Sequence, residues 1–141
     1  MTTPSLYSYR VKSITKVVDG DTFDCILDLG FDVLLEARVR MLGIDTPESR
    51  TSDAEEKVYG LLSKEWLKHN IHGEQIIIST QVDNEKGKFG RILGIVFVDG
   101  KNLNEAMIEE HMAVGYHGEN KDDVQDQHMK NRQILKEKGL V

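Results

Sequence analysis

The 141-residue chain has one cysteine, two prolines and 6% aromatic residues. A lone Cys25 cannot close an internal disulfide, so a disulfide scaffold is excluded. No histidine or basic residue stands near it in the apolar run 23–29, and it reads as a buried thiol rather than a nucleophile. No Cys–His cluster occurs, so a zinc site of the usual kind is not expected. No low-complexity run and no internal repeat is present, and no apolar stretch is long enough to span a bilayer. Residues 1–6 have neither a basic n-region nor an apolar h-region, so no secretion signal is expected. That points to the cytoplasm, or to the exterior if a signal has been removed.

A basic excess is also lacking. Eighteen Lys and Arg stand against 24 Asp and Glu, a net charge of −6. The excess is not in a tail, because residues 1–70 and 71–141 each carry nine basic and twelve acidic groups. Residues 105–126 hold seven acids against one lysine. Proteins that bind nucleic acid through its backbone usually carry a basic footprint, which is missing here. Any such binding should be weak and lean on a bound cation.

What is present is an ordinary globular composition, 39% hydrophobic and 30% charged, in a length that suits one domain over residues 1–141. Strands are expected at residues 7–18, 22–29, 33–44, 75–82 and 91–98, where β-formers run between Gly, Pro, Asn and Asp punctuation. Asp19-Gly20 turns the first strand into the second, and Asp45-Thr46-Pro47 ends the third. Residues 48–58 read as a polar loop and 83–88 as a hairpin loop. Helices are expected at about 59–69, with Leu62, Trp66 and Leu67 inward, then from Asn102, where Glu105 completes a capping-box pattern, and at 124–138 with Gly139 as C-cap.

Three separated segments carry chemistry: Val17-Val18-Asp19-Gly20-Asp21-Thr22, Val39-Arg40-Met41-Leu42-Gly43-Ile44-Asp45-Thr46-Pro47-Glu48, and Lys88-Phe89-Gly90-Arg91. Asp21 and Asp45 are candidate ligands for a hard metal ion. Their all-oxygen chemistry favours Ca²⁺ over Mg²⁺ or Mn²⁺. Glu48 is a further carboxylate able to accept a proton from water. Arg40 and Arg91 present the paired donors that match phosphate oxygens. Each residue alone also has an ordinary reading, since Asp-Gly is a turn signal and Arg40 could be a solvated strand residue. Taken together, the parts suit metal-assisted cleavage of a phosphodiester. The five histidines show no metal spacing and read as surface or capping groups.

In this order, across about residues 9–138, the three segments resemble the thermonuclease family, whose type member is staphylococcal nuclease. The resemblance implies an α+β fold, a five-stranded OB-type Greek-key barrel with three helices. It adds the Thr46 carbonyl to the metal ligands. Asp19 reads either as a residue supporting the ion through water or as a plain turn residue. The resemblance also implies a Ca²⁺-dependent phosphodiesterase acting as a monomer on DNA and RNA, preferring single strands, with little sequence specificity and 3′-phosphate products. Lys88, Phe89 and Tyr116 are then the substrate contacts. Two departures stand out. Phe89 replaces a tyrosine and cannot hydrogen-bond phosphate, and a pair of nucleotide-holding tyrosines is reduced to Tyr116, followed by His117. Two rival readings remain: a catalytically silent module that binds nucleic acid or protein, and an oligonucleotide binder that needs no metal.

Overall fold

The computed structural model describes residues 7–80 and 91–141. Its elements run β1 (Ser8–Asp19), β2 (Thr22–Asp28), β3 (Leu34–Met41), β4 (Ile44–Asp45), α1 (Ala54–Asn70), β5 (Ile76–Ser79), β6 (Ile92–Val98), β7 (Lys101–Asn102), α2 (Leu103–Glu109), β8 (Val114–Gly115) and α3 (Lys121–Glu137). The main sheet has the order β3-β2-β1-β5-β6-β7, and a parallel pairing of β3 with β6 rolls it into a closed barrel of five long strands. The fold is therefore the α+β, OB-type barrel with three helices that the resemblance implied.

Alternation along the strands fills the barrel. On β2, Phe23, Cys25 and Leu27 point inward while Asp24, Ile26 and Asp28 are less buried, the period-two pattern of a half-buried strand. Val39 and Met41 on β3, Ile78 on β5 and Val96 on β6 complete this layer. Helix α1 adds Tyr59 and Leu67 and α2 adds Leu103 and Met107, all buried, the leucines and the methionine each contributing roughly 1.5–3 kcal/mol on leaving water. Leu62 and Trp66 pack against this core as expected. Cys25 is buried, and burial pushes its thiol up to about 12, so thiolate is scarce at neutral pH.

Three expectations change at element ends. Helix α1 begins at Ala54, inside the stretch expected to be loop, because the Asp53 carboxylate accepts from the Glu55 and Glu56 amides and caps the helix. Helix α3 begins at Lys121 because Asn120 caps it through the Asp122 amide. The third strand is interrupted at Leu42-Gly43, where Gly43 has φ +78°, and resumes as β4. The expected hairpin loop at 83–88 lies outside the described residues. Helix α2 carries the expected Asn102 cap on the Glu105 amide, and Gly139 follows α3 at φ +74°.

Candidate functional site

The tight turn between β1 and β2 delivers Asp21, and the break between β3 and β4 delivers Asp45. A Cβ on Gly20 would stand 2.7 Å from the Ser63 Cβ and 3.2 Å from the Thr46 Cβ, so only glycine lets this turn press against α1 and the Thr46 segment. Asp21 is 9% exposed. Its Oδ1 accepts from the Thr22 hydroxyl at 2.9 Å, and its Oδ2 accepts from the Thr46 amide at 3.4 Å. The Met41 amide donates to the Asp21 carbonyl at 2.8 Å, tying the end of β3 to the same turn.

Arg40 draws the two aspartates together. One terminal nitrogen lies 3.5 Å from Asp21 Oδ2 and 3.7 Å from Asp45 Oδ1, while the other donates to the Met41 carbonyl at 2.6 Å. A single cationic group thus stands between carboxylates that are 24 residues apart in sequence. Among the described residues no group of three or more His, Cys, Asp and Glu gathers as a metal cluster. What the site offers is two carboxylates on a shared cation position beside Thr46. That hard-oxygen donor set fits a divalent ion that keeps several waters.

Asp45 is held from two more sides. Its backbone pairs with Val114 of β8, and its Oδ2 lies 2.8 Å from Nε2 of His128 on α3. His128 is 7% exposed, so the expectation of a surface or capping histidine is corrected: it is buried against a candidate ligand. No spacing rule reveals this, because 83 residues separate the pair.

Beside this centre lies a cleft of about 290 Å³ whose lining includes Asp45, Thr46, Glu48, Tyr116, His128 and Arg132. Glu48 and Tyr116 therefore share one cleft with two of the candidate ligand residues. The Glu48 amide donates to Glu56 Oε2 at 3.0 Å. Its main chain runs close over α1, since a Cβ on Gly60 would fall 2.2 Å from the Glu48 carbonyl oxygen. Tyr116 is anchored through its amide to the Gly43 carbonyl at 2.8 Å and leaves its side chain exposed.

Asp19 and Arg91 do not line that cleft; they line a neighbouring cavity of about 180 Å³ with Thr22, Arg38 and Arg50, Thr22 being the residue whose hydroxyl donates to Asp21. Asp19 accepts from the Ser49 hydroxyl and stands 3.6 Å from Arg50. Its described partners are thus protein groups. Arg38 and Arg50 were not singled out from sequence, and alternation on a strand or exposure in a loop gives no signal for them. Arg38 is committed to Asp24 through hydrogen bonds of 2.7 and 3.1 Å, which hold the Asp24 carboxyl below its ordinary value. Lys88 and Phe89 lie outside the described residues. A larger cleft, about 720 Å³, lies elsewhere, between β1, the β2–β3 hairpin and the start of β5; its lining mixes Arg10 and Lys12 with Asp28, Asp32 and Glu74, and none of the candidate residues is part of it.

Comparison with known proteins bears on the same segments. A family model described as staphylococcal nuclease homologue matches residues 38–138. The chain is 30% identical over 129 residues to the SPbeta prophage-derived endonuclease YokF of Bacillus subtilis, covering 91% of this chain and 42% of that protein. It is 28% identical over 101 residues to Endonuclease YncB of the same organism, covering 72% and 46%. It is 31% identical over 107 residues to a thermonuclease of Staphylococcus intermedius, covering 75% and 58%. The chain thus spans about half the length of the curated relatives it matches.

Proposed function

The chain belongs to the staphylococcal nuclease homologue family, and from that premise we propose that it is a Ca²⁺-dependent nuclease. It hydrolyses DNA and RNA with little sequence specificity, prefers single strands, leaves 3′-phosphates and works as a monomer. The observation that carries the reading is the convergence of Asp21 and Asp45 on Arg40, with Glu48 opening the adjoining cleft. Two carboxylates can hold a cation at the point where a guanidinium can hold a phosphate.

Asp21, Asp45 and the Thr46 carbonyl hold the ion in this reading. Bound there, Ca²⁺ supplies Lewis acidity toward a phosphoryl oxygen. Glu48 orients a water and takes its proton as the water oxygen bonds to phosphorus. The bond to the 5′ oxygen breaks, that oxygen takes a proton from solvent water and leaves as a hydroxyl, and Glu48 returns its proton to solvent. Arg40 and Arg91 donate to the equatorial oxygens, where negative charge grows in the transition state. Asp19, fixed by Ser49 and Arg50, supports the ion through water. Lys88, Phe89 and Tyr116 hold the flanking nucleotides.

Cleavage of a labelled single-stranded oligonucleotide in Ca²⁺, Mg²⁺ and chelator tests this. Cleavage should require Ca²⁺. Glu48→Gln should lower kcat by about 10²–10⁴-fold, the span expected for a lost general base. Full turnover in Mg²⁺ alone would remove the Ca²⁺ assignment. A folded protein that cleaves in no metal yet binds the oligonucleotide would be a silent module of this family.

A further inference from the structure

Asp45 divides its two oxygens between different partners. Oδ1 faces Arg40 at 3.7 Å, on the side where Asp21 Oδ2 also points. Oδ2 faces His128 Nε2 at 2.8 Å. An ionised carboxylate only accepts, so Nε2 carries the hydrogen. His128 cannot swing away easily. It lies on the buried face of α3 with Arg132 and Leu135, and the helix is pinned alongside by Asn131, whose amide donates to the Ala113 carbonyl at 3.2 Å. Ala113 directly precedes Val114, the residue paired with Asp45. Backbone and side chain of Asp45 are therefore located by the same neighbourhood.

We propose that His128 is a positioning residue for Asp45: by occupying Oδ2, it turns Oδ1 toward Arg40 and Asp21 and restricts Asp45 to one oxygen toward the ion. The inference rests on the reading of Asp45 as a ligand. Without His128 the carboxylate, half-buried at the edge of the cleft, is free to rotate about its Cβ–Cγ bond, and its second oxygen loses the donor that fixed it. Outer partners that orient a metal ligand typically change metal affinity or activity 10–100-fold when removed.

Calorimetric titration of Ca²⁺ into the protein without nucleic acid tests this apart from turnover. His128→Leu should weaken Ca²⁺ binding about 10–100-fold. His128→Gln, whose amide can place a donor near the Nε2 position, should restore it to within about threefold of wild type, less than the smallest loss expected of the leucine variant. Thermal unfolding in chelator checks that each variant is folded. Where His128→Leu does not fold, His128→Asn takes its place: its amide is too short to reach Oδ2 and must show the same loss. At saturating Ca²⁺ the KM for the oligonucleotide should stay at the wild-type value. In metal-free protein, long-range ¹H–¹⁵N spectra of the imidazole should show hydrogen on Nε2.

A folded His128→Leu or His128→Asn variant that binds Ca²⁺ as wild type does, while Asp45→Asn loses it, overturns the inference and leaves the ligand reading intact. Hydrogen on Nδ1 alone overturns it as well. An Asp45→Asn protein with wild-type affinity, or a wild-type protein that takes up no Ca²⁺, overturns both.

Discussion

Asp24 and Arg38 sit opposite each other on β2 and β3, and their paired hydrogen bonds show how one cross-strand contact records pH. The Arg38 guanidinium holds the Asp24 carboxyl below its ordinary 3.8, first by hydrogen bonding and then by charge. A lowered folded value means that the native state favours the ionised group. The contribution is fully present above the unfolded value and is lost as pH falls through the folded one. Both side chains are substantially solvated, so the pair is worth about 0.2–1 kcal/mol. Urea unfolding of wild type and Asp24→Asn should therefore differ by a constant amount from pH 8 to about pH 5, a window set well above the carboxyl's own titration. The difference should shrink below pH 3.8. A difference that grows on acidification would contradict the pairing.

At the scale of elements, α1 forms the wall behind Glu48, and Gly60 is the position that lets it stand so close. Glycine inside a helix costs about 1 kcal/mol relative to alanine, so an exposed Gly60 would be replaceable with gain. Here the added Cβ would meet Glu48 and Ser49 backbone atoms at 2.2–2.6 Å, and backbone cannot yield as a side-chain tip can. Gly60→Ala should destabilise the fold by about 1–3 kcal/mol, the overpacking range, and should also lower kcat because it displaces the Glu48 segment. Thermal unfolding and oligonucleotide cleavage on the same preparation check both. An unchanged melting temperature would mean that the loop yields at no cost.

This contact also shows where the sequence could be read and where it could not. The barrel strands were legible because Phe23, Cys25 and Leu27 alternate, and the cap of α2 because Asn102 and Glu105 keep capping-box spacing. The first turn of α1 was not, because residues 54–58 are exposed apart from half-buried Glu56 and leave no apolar period. Its start is set by one side chain, Asp53, accepting two amides. Asp21, Arg40, Asp45 and Glu48 were legible through the family motif. His128 was not: a single polar residue becomes part of the site only when α3 is laid against β4, and nothing local encodes that packing.

At the scale of the whole chain, a net charge of −6 bears on how the proposed nucleic-acid substrate would be held. Sequence-independent affinity comes from neutralised phosphates and declines with salt, with a slope of about −0.7 per phosphate contact on single strands. If Arg40 and Arg91 grip one or two phosphates, anisotropy titrations with a fluorescent oligonucleotide should give a slope no steeper than about −1.5 in Ca²⁺. Glu48→Gln protein would prevent cleavage during the measurement. Affinity should fall sharply in chelator. Tight binding with a steep slope in chelator would favour an oligonucleotide binder that needs no metal.

The parallel seam that closes the barrel has a further consequence. It joins Val39, Arg40 and Met41 to Ile92, Leu93 and Gly94, and Asp45 then leans on a helix that begins at Lys121. The constellation is thus drawn from segments far apart in sequence, with Asp45 and His128 standing 83 residues apart. A chain still emerging from the ribosome, or one severed between Asp45 and His128 and come apart, holds the motif residues without their mutual arrangement. Arrangement of the candidate site is thus a property of the folded barrel and helix together, not of any one motif.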